Sequence, residues 1–396
     1  MSAPAEKPPI IWLNTLVFAI TFIIAVIGVP WYGMMYGFAA ELWWALVLTI
    51  GFAGISITAG YHRLWSHRAY DANPILRFCF AIGGALAIQN SVLHWASDHR
   101  EHHKHVDDND HDPYSAGRGF WYSHIGWMLR EYQQHRYTNY ENVKDLQQDK
   151  IVMWQHRHYL SLTLLTSIGW PLLVGFLVGD VWGALLLVGF MRVVLNHHTT
   201  FFINSLAHMW GKQTYTDRNS ARDNGWLALL TFGEGYHNYH HIFSADYRNG
   251  IKWYHFDPTK WLIRACSYIG WTKNLKRTNG YQVEKARLTM QMQRVLGAAQ
   301  PEQLPQRAQA AWQQLQQEYD TLLAQVKTYY QTRKALLDAR TQQFKAKMHM
   351  PDLHMPSVAD MQQQLADLRA RVQVQKRQWQ QQLAHYQQLL AQPSAA

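Results

Sequence analysis

The segment Asp98-His-Arg-Glu-His-His-Lys104 constrains the fold more than any other stretch of the chain. Its three histidines are spaced i, i+3, i+4, which places their imidazoles on one face of a helix. A second segment repeats this H-x-x-H-H pattern, and a third carries a looser H-x-x-x-x-H pair. The eight histidines of these segments are His62, His67, His99, His102, His103, His237, His240 and His241. Imidazole binds iron, copper, zinc and nickel, and eight exceed what one tetrahedral metal needs, so the pattern predicts a two-metal site.

Two other classes of metal site are excluded by the sequence around these histidines. Soluble di-iron carboxylate proteins use a Glu-x-x-His motif on two helices, and here only Glu234-x-x-His237 has that form. Zinc hydrolases of the His-Glu-x-x-His type are excluded because no such string occurs. Neutral histidines would therefore provide the ligands.

The composition separates an apolar, aromatic first two-thirds from a Gln-rich last third of the 396-residue chain. Two cysteines, Cys79 and Cys266, provide neither a disulfide framework nor a cysteine metal site. The formal net charge of +10 could serve nucleic acid, an anionic membrane face or a phosphorylated substrate. The apolar segments favour the last two, so we expect no nucleic-acid partner.

Four apolar runs each approach the roughly 20 residues that a helix needs to cross a bilayer. They cover about residues 10–29, 42–59, 160–179 and 181–203. The first run lacks the usual basic n-region, so we expect a membrane helix rather than a cleavable signal peptide. Arg192 in the fourth run is costly unless it finds a partner. A further apolar segment, 75–93, contains Arg77, Gln89 and Asn90, and we expect it to form an interfacial or re-entrant helix.

The loops predict the orientation of these four spans. Residues 30–41 and the turn at 179–180 contain no Lys or Arg, whereas the segments 60–159 and 204–396 carry the basic residues. The positive-inside rule then places both termini and all the histidine segments in the cytoplasm. The predicted fold is an all-α integral membrane protein with four transmembrane helices and a cytosolic helical cap that holds the metals.

The last third of the chain, residues 282–396, has the pattern of two long helices. Apolar residues recur there at spacings of 3–4 in two stretches, separated by the helix-breaking segment 349–356. This predicts an antiparallel helical hairpin or coiled coil, with self-association or partner docking as its role. No residue pattern in it indicates site chemistry.

The strings around the histidines are similar to those of the membrane fatty acyl-CoA desaturases, specifically bacterial members of the stearoyl-CoA Δ9 type. The resemblance covers about residues 10–275, which indicates a desaturase domain over 1–275. The matching strings are Thr58-Ala-Gly-Tyr-His-Arg-Leu-Trp-Ser-His-Arg68, Asp98-His-Arg-Glu-His-His-Lys104, Asp112-Pro-Tyr-Ser-Ala-Gly-Arg-Gly-Phe120, Ser123-His-Ile-Gly-Trp127, Asn204-Ser-Leu-Ala-His208 and Gly233-Glu-Gly-Tyr-His-Asn-Tyr-His-His241.

The resemblance implies a set of ligands for two iron ions. By position these ligands are His62, His67, His99, His102, His103, His208, His237, His240 and His241. Asn204 matches an asparagine that reaches one iron through water. The remaining histidines of this part of the chain are expected to support the ligands or to lie at the membrane interface: His94, His105, His111, His124, His156, His158, His197 and His198.

The resemblance also implies substrate contacts. The positions that bind the acyl-CoA head group in the family are Asn14, Asn90, Asp98 and Arg130. Ser97 stands where animal members have an arginine and Phe201 where they have a tryptophan, so the head-group contacts differ in part. We expect the closed end of the acyl tunnel to lie near Ile50 and Gly54, which are four residues apart on one face of the second span.

The reaction implied by the resemblance is O2-dependent removal of two hydrogens from adjacent methylene carbons of a saturated long-chain acyl-CoA. The product would carry a cis double bond, at the Δ9 position in this family. Electrons must come from a separate reductase or a ferredoxin-like donor, since the sequence has no His-Pro-Gly-Gly haem motif, cysteine cluster or Gly-x-Gly-x-x-Gly nucleotide motif. The expected location is the bacterial cytoplasmic membrane.

Three alternatives stay open at the level of sequence. A membrane di-iron hydroxylase or alkane monooxygenase shares the first hydrogen abstraction, so histidine spacing separates it poorly from a desaturase. A desaturase could also act on phospholipid acyl chains instead of acyl-CoA. A non-catalytic metal transporter or membrane scaffold is disfavoured, because transporters bind their ions near the bilayer midplane, whereas these histidines follow the spans.

Overall fold

The computed structural model describes residues 8–296, 306–349 and 358–391 of the chain. Contacts divide the chain into two compact units, Met1–Arg277 and Thr278–Ala396. The first unit contains every histidine segment named above. The second contains the Gln-rich region.

The described residues are mostly helical. In chain order the helices are α1 (Trp12–Met35), α2 (Ala40–Ser66), α3 (Pro74–Leu86), α4 (Val92–Lys104), α5 (Phe120–His124), α6 (Lys144–Gln147), α7 (Lys150–Arg157), α8 (Tyr159–Val178), α9 (Val181–Met209), α10 (Gly225–Leu230), α11 (His237–Ile242), α12 (Pro258–Tyr268), α13 (Gly280–Leu296), α14 (Gln306–His349) and α15 (Val358–Ala391). Single 3₁₀ turns lie at Ala116–Arg118, Gly126–Met128, Gln134–Tyr137 and Glu141–Val143. Two strands, β1 (Asp71–Ala72) and β2 (Thr272–Lys273), pair antiparallel with Asp71 opposite Lys273.

Within the described residues, four helices are long and apolar enough to cross a membrane, which confirms the four predicted spans. They are α1, α2, α8 and α9, with 24, 27, 20 and 29 residues. At 1.5 Å per residue even the shortest is about 30 Å long, the thickness of the hydrocarbon core. Their outer faces expose large apolar side chains such as Leu13, Leu48 and Phe176. The protein is therefore a multi-pass membrane protein.

The apolar segment 75–93 does not form a fifth span. Helix α3 has only 13 residues and begins with Pro74 after Asn73, whose side chain accepts a hydrogen bond from the backbone N–H of Leu76. It packs closely on α2, because a Cβ atom at Gly84 would collide with the ring of Tyr61. The chain then turns and enters α4. This arrangement keeps the histidines of α2 and α4 on the same side.

Hydrogen bonds accommodate the charge of Arg192 within the fourth span. Its fully buried side chain donates hydrogen bonds to the carbonyls of Leu86, at the end of α3, and of Val188. The Nε2 atom of His197 lies 3.2 Å and 3.0 Å from the carbonyl oxygens of Ala87 and Ile88. The last carbonyls of a helix have no partner within it, and a cation is favourable at that end. Arg192 therefore caps α3 from within α9.

The second unit packs three helices around its own apolar core. Residues predicted to line a hairpin are buried there, including Leu315, Leu322, Val326 and Trp379. The predicted helices α14 and α15 are present, and the predicted breaker falls between them, mostly outside the described residues. Helix α13 was missed, because its apolar residues alternate with many polar ones. Coiled-coil geometry and self-association stay predictions.

Replacing Trp379 by alanine should destabilise the second unit by about 3–5 kcal/mol, because the ring is 1% exposed and packs against Tyr319. Hydrogen-exchange mass spectrometry of the full chain should then show faster exchange in α13–α15 and unchanged exchange in α1, α2, α8 and α9. Val374→Ala on the same helix is the control, since Val374 is 46% exposed. Equal exchange in Trp379→Ala and the unmodified chain would contradict a packed three-helix core.

Candidate metal centre

The first histidine pair lies in a stretch of α2 that changes its helical repeat. Residues Ser56–Ser66 form a π-helix, in which backbone hydrogen bonds join residues five apart. The backbone N–H of His67 donates to the carbonyl of His62 at 3.1 Å, just beyond this stretch. The two rings consequently lie on one side, with their centroids 4.8 Å apart. The five-residue spacing, which looked loose on an α-helix, fits this geometry.

The other histidines come from three further helices. Helix α4 carries His99, His102 and His103, and its start is capped by Ser91, whose hydroxyl accepts from the backbone N–H of His94. The short helix α11 carries the second H-x-x-H-H segment. His208 lies at the end of α9, one helical turn after Asn204. Four helix ends thus converge on one region of the first unit.

The nine histidines named by the family resemblance divide into two groups, with the ligand nitrogens of each group within 4.8 Å of one another. The five-histidine group contains His62, His67, His99, His103 and His240. The four-histidine group contains His102, His208, His237 and His241. The sequence had predicted one shared site for two metals, and the structure brings all nine side chains together in this way.

Within each group the imidazoles face one another through their Nε2 atoms. In the five-histidine group these atoms are 2.8 Å apart between His67 and His99, and 2.9 Å between His103 and His240. In the four-histidine group the corresponding separations run from 3.0 Å to 3.3 Å. Metal–nitrogen bonds of about 2.0–2.1 Å place neighbouring ligand nitrogens about 2.8–3.4 Å apart in octahedral or tetrahedral geometry. The observed distances fit the edges of such coordination shells.

Hydrogen bonding alone does not account for this packing. The Nε2 atom of His240 faces Nε2 of both His62, at 3.0 Å, and His103, at 2.9 Å. A neutral imidazole nitrogen carries either one hydrogen or one lone pair, so it cannot serve as donor to one partner and acceptor from the other. A cation at the centre of each group would satisfy all the lone pairs together. The donor set therefore fits a metal in both groups.

The environment favours the uncharged form of most of these imidazoles. Burial lowers the pKa of six of them well below the usual value, and the neighbouring imidazoles lower it further. These six are His67, His99, His103, His237, His240 and His241. A neutral ring keeps its lone pair free for a metal, since a protonated ring has none to donate.

Hydrogen bonds at Nδ1 orient several of the rings. The Nδ1 atom of His102 lies 2.9 Å from Oδ1 of Asp112, which is fully buried. In His208 the same atom lies 2.7 Å from the hydroxyl of Ser220, which in turn donates to Asp107 at 2.5 Å. Such partners fix the tautomer that leaves Nε2 free for a metal. No local sequence pattern links these partners to the histidines that they orient, since Asp112 lies 10 residues from His102 and Ser220 lies 12 from His208.

A buried network of charges joins α2 to the segments around α11 and α12. Arg63 lies 2.8 Å from Oε1 of Glu234 and 3.1 Å from Oδ1 of Asp257, and all three side chains are buried. The other oxygen of Glu234 lies 3.0 Å from Nδ1 of His62. Burial alone would raise the pKa of Glu234, but His62 and Arg63 hold it below its usual value. Glu234 thus contacts His62 of the five-histidine group and is not itself a member of either group.

A cavity of about 870 Å³ runs from the histidine groups between α1, α8 and α9. Imidazoles of both groups form part of its wall: His62, His99, His102 and His237. Most of the remaining wall is apolar and includes Val17, Phe18, Leu164, Ile168, Leu185 and Val193. A cavity of this size, largely apolar with a few polar groups at one place, is typical of a small-molecule site.

Three of the four predicted substrate contacts line this cavity. They are Asn14, Asn90 and Asp98. The Asp98 carboxylate is held by Arg136, at 2.9 Å from Nε, and lies 3.3 Å from Nε2 of His94. Burial opposes the charged form, but Arg136 and His94 hold the pKa of Asp98 below its usual value. Arg136 also lines the cavity and was not assigned a role from the sequence.

Arg130 does not line the cavity, so the prediction that it contacts substrate gains no support from the geometry. Its guanidinium donates to the carbonyl of Pro8 at 2.6 Å. The expected closed end of the tunnel is wrong: neither Ile50 nor Gly54 is among the lining residues. Ile50 packs against a cluster formed by Leu46 and its neighbours in other spans, and a Cβ at Gly54 would meet the ring of Phe232. Helical spacing predicted that Ile50 and Gly54 share a face of α2, but it could not predict which residues pack on that face.

Ser97 and Phe201, the two positions where this chain departs from animal members, have different surroundings. Phe201 lines the cavity, as Asn204 does, whereas the Ser97 hydroxyl donates to Asn142 at 2.8 Å.

Among the other histidines, His94 and His197 also line the cavity. The rings of His124 and His198 are joined by a 2.9 Å contact between nitrogens. His156 lies 2.7 Å from the hydroxyl of Ser91.

Asp112→Asn should lower the affinity for iron about 10- to 100-fold, because it removes the charged partner of His102 while keeping the side-chain volume. The measurement is iron content of the purified full chain after equilibration with graded chelator. Asp110→Asn is the matched control, since Asp110 is an exposed carboxylate in the same loop. Unchanged iron retention in Asp112→Asn would contradict a supporting role for this carboxylate.

Comparison with known proteins agrees with this geometry. The fatty acid desaturase family model matches residues 41–274. A probable acyl-CoA desaturase of Schizosaccharomyces pombe is 45% identical over 251 residues, covering 63% of this chain and 52% of the relative. Acyl-CoA desaturase 1 of Saccharomyces cerevisiae is 41% identical over 291 residues, covering 72% of this chain and 55% of the relative.

The chain thus spans about half the length of these two yeast relatives. A third relative, an sn-2 palmitoyl-lipid 9-desaturase of a Nostoc species, is 34% identical over 276 residues, covering 68% of this chain and 92% of the relative. The family model covers more than half of the chain, and it includes all nine histidines of the two groups. The chain belongs to the fatty acid desaturase family.

Proposed function

We propose that this protein is an O2-dependent acyl desaturase that introduces a cis double bond, at the Δ9 position, into saturated long-chain acyl-CoA. One observation carries the proposal: the largely apolar cavity is lined by imidazoles of both histidine groups. An acyl chain in that cavity would place its methylene carbons beside both metals. The names of the two yeast relatives support acyl-CoA as the substrate class.

We further propose that the two groups hold two iron ions. The ligands would be the nine histidines of the five- and four-histidine groups, with Asn204 reaching one metal through water. The four-histidine group offers one nitrogen fewer, and Asn204, four residues before His208 of this group, lines the cavity. This difference leaves room for a water at that metal. Imidazole is a suitable ligand for iron, and neutral rings add no negative charge.

Bound iron would supply the oxidising chemistry that activates O2 and removes hydrogen from the acyl chain. Reduction of O2 to two waters takes four electrons, of which the two broken C–H bonds provide two. A separate reductase or ferredoxin-like donor is proposed to provide the other two electrons. The chain itself would bind the substrate, orient it beside the metals and keep water away from them.

Two features of the chain would carry out that task. Asp112, Glu234 and Ser220 hold ligand rings at Nδ1, so that the Nε2 atoms point inward without the protein having to rearrange. The apolar wall between α1, α8 and α9 excludes water and fixes the position of a long chain. Which carbons are oxidised would then depend on where the chain is held.

The polar end of the cavity would take the head group of the substrate. Asn14, Asn90, Asp98 and Arg136 lie there, and Asn90 has a positive φ of 74°, a backbone state that asparagine tolerates better than most residues. Because Arg136 neutralises Asp98, this region need not repel an anionic head group. The rest of a CoA moiety would extend to the basic surface of the cap. This end is proposed to face the cytosol, as the distribution of Lys and Arg indicates.

A lipid-linked acyl chain is the second candidate substrate. The Nostoc relative is named as a lipid desaturase and is matched over 92% of its length. The same apolar cavity would accept the acyl chain of a phospholipid, and only the head-group contacts would differ. A hydroxylase remains the alternative reaction, since it shares the same metals and the same first hydrogen abstraction.

Expression in a desaturase-deficient host should add cis-unsaturated fatty acids, with the bond at Δ9, to the profile measured by gas chromatography–mass spectrometry. The His99→Ala, His103→Ala double variant should lose this product entirely, because both rings belong to the five-histidine group. His158→Ala is the control, since this exposed histidine lies outside both groups.

Hydroxylated products would contradict desaturation and favour the hydroxylase. With purified protein, iron and a reducing system, turnover of stearoyl-CoA should be compared with that of phosphatidylcholine carrying stearoyl chains. Faster turnover of the phospholipid would overturn the choice of acyl-CoA. If no product forms with either substrate although two irons per chain are bound, the proposed reaction is wrong.

A further inference from the structure

A third cluster of metal-binding side chains lies outside the nine-histidine centre. His105, Asp108 and His111 offer ligand atoms that all lie within 4.8 Å of one another. They follow α4 directly, in the loop His105–Asp112, which we call the DH loop. None of them contributes to either histidine group, and none lines the cavity. The function proposed above gives them no task.

The geometry of the cluster suits a small cation. The Nδ1 atom of His111 lies 2.9 Å from Oδ2 of Asp108, and the rings of His105 and His111 stack with centroids 4.9 Å apart. Glu101 lies beside the cluster, with its Oε2 3.6 Å from Nε2 of His105. The two imidazoles and the Asp108 carboxylate form a mixed nitrogen and oxygen donor set, which suits a divalent transition-metal cation.

The DH loop is held in place before any cation binds. The backbone N–H of Asp108 donates to the carbonyl of His105 at 2.9 Å, and that of Asp112 donates to the carbonyl of Asp108 at 2.9 Å. Asp107 accepts from the backbone and hydroxyl of Ser220. A preorganised loop loses less conformational entropy on binding. The side chains of Asp108 and His111 are 41% and 64% exposed, so a cation can reach them and the rings can rotate to close on it.

We propose that His105, Asp108 and His111 form a separate surface site for a divalent transition-metal cation of the Zn²⁺ class. Mixed imidazole and carboxylate donors favour such cations over Ca²⁺ or Mg²⁺, which prefer oxygen ligands alone. The site is independent of the proposed desaturase function.

The position of the site also suggests what it does. The DH loop provides Asp112, which orients His102, and Asp107, which holds Ser220 against His208. Both histidines belong to the four-histidine group. A cation bound by His105, Asp108 and His111 would fix the loop that carries these two supports. Occupancy of the surface site should therefore slow the loss of metal from the four-histidine group, and such coupling is reciprocal.

Zinc stoichiometry tests the site. The iron-loaded full chain in detergent is titrated with Zn²⁺ in competition with a chromophoric chelator, beside His111→Ala and Asp108→Asn. The unmodified chain should bind one more zinc equivalent than either variant. His158→Ala should bind as much as the unmodified chain, because it removes an exposed histidine that belongs to no cluster. Equal zinc uptake by the unmodified chain and His111→Ala would overturn the proposal.

The same preparation tests the coupling. Iron release to an excess of chelator, followed by absorbance, should be slowed about 5-fold or more by prior addition of one zinc equivalent. In His111→Ala the added zinc should have no effect. Equal release rates with and without zinc in the unmodified chain would overturn the supporting role. The difference of one zinc equivalent is expected whether the nine-histidine centre holds iron or zinc and whether or not the chain is a desaturase, so this proposal and the proposed reaction fail separately.

Discussion

The packing of nine imidazoles around two points imposes the main constraint on this fold. Their Nε2 atoms approach to about the separation of ligands on one metal, and burial lowers the pKa of six of them, which keeps these six neutral. Placing so many polar nitrogens together in a buried site is unfavourable unless each one has a partner. The protein provides partners at Nδ1 for several rings, and the metals would provide them at Nε2. The helices, caps and loops can be understood as the means of meeting this requirement.

The membrane helices bring the imidazoles together because their ends converge on one region. Helix α2 changes to a π-helix before its end, which brings His62 and His67 to one side. The short helix α3 returns the chain to α4 without crossing the membrane, so both helices present their histidines to the same centre. Arg192 and His197 make this turn possible by satisfying the carbonyls at the end of α3. A charge that looked misplaced in the fourth span is thus a structural requirement of the centre.

Outside the membrane helices, buried charges that all have partners hold the histidine segments together. Arg63 on α2 binds Glu234 and Asp257 from distant parts of the chain, and the hydroxyls of Thr58 and Thr259 lie 2.6 Å apart. Buried charges destabilise a fold unless partners surround them, but once partnered they fix one arrangement. In this protein that arrangement joins the span carrying the first histidine pair to the segments carrying the last group. The apolar cavity then opens from the centre into the membrane part, where a long acyl chain would be soluble.

Much of the fold and of the histidine centre could be predicted from local sequence patterns. Apolar runs of sufficient length predicted four spans, because a bilayer imposes a minimum length, and the H-x-x-H-H spacing predicted convergent imidazoles, because a helix repeats every 3.6 residues. The family resemblance added His208, which no local pattern revealed. Helix α13 was missed, since its apolar pattern is weak.

Other features depend on contacts that no local sequence pattern predicts, and they become visible once the helices and loops are packed together. The division of nine histidines into five and four, the supports Asp112, Glu234 and Ser220, and the pairing of Asp98 with Arg136 are of this kind. So is the wall of the cavity, which excludes Ile50 and Gly54 although both lie on one face of α2. Local periodicity fixes which side chains share a face, whereas the partner of that face is fixed only when the helices pack together.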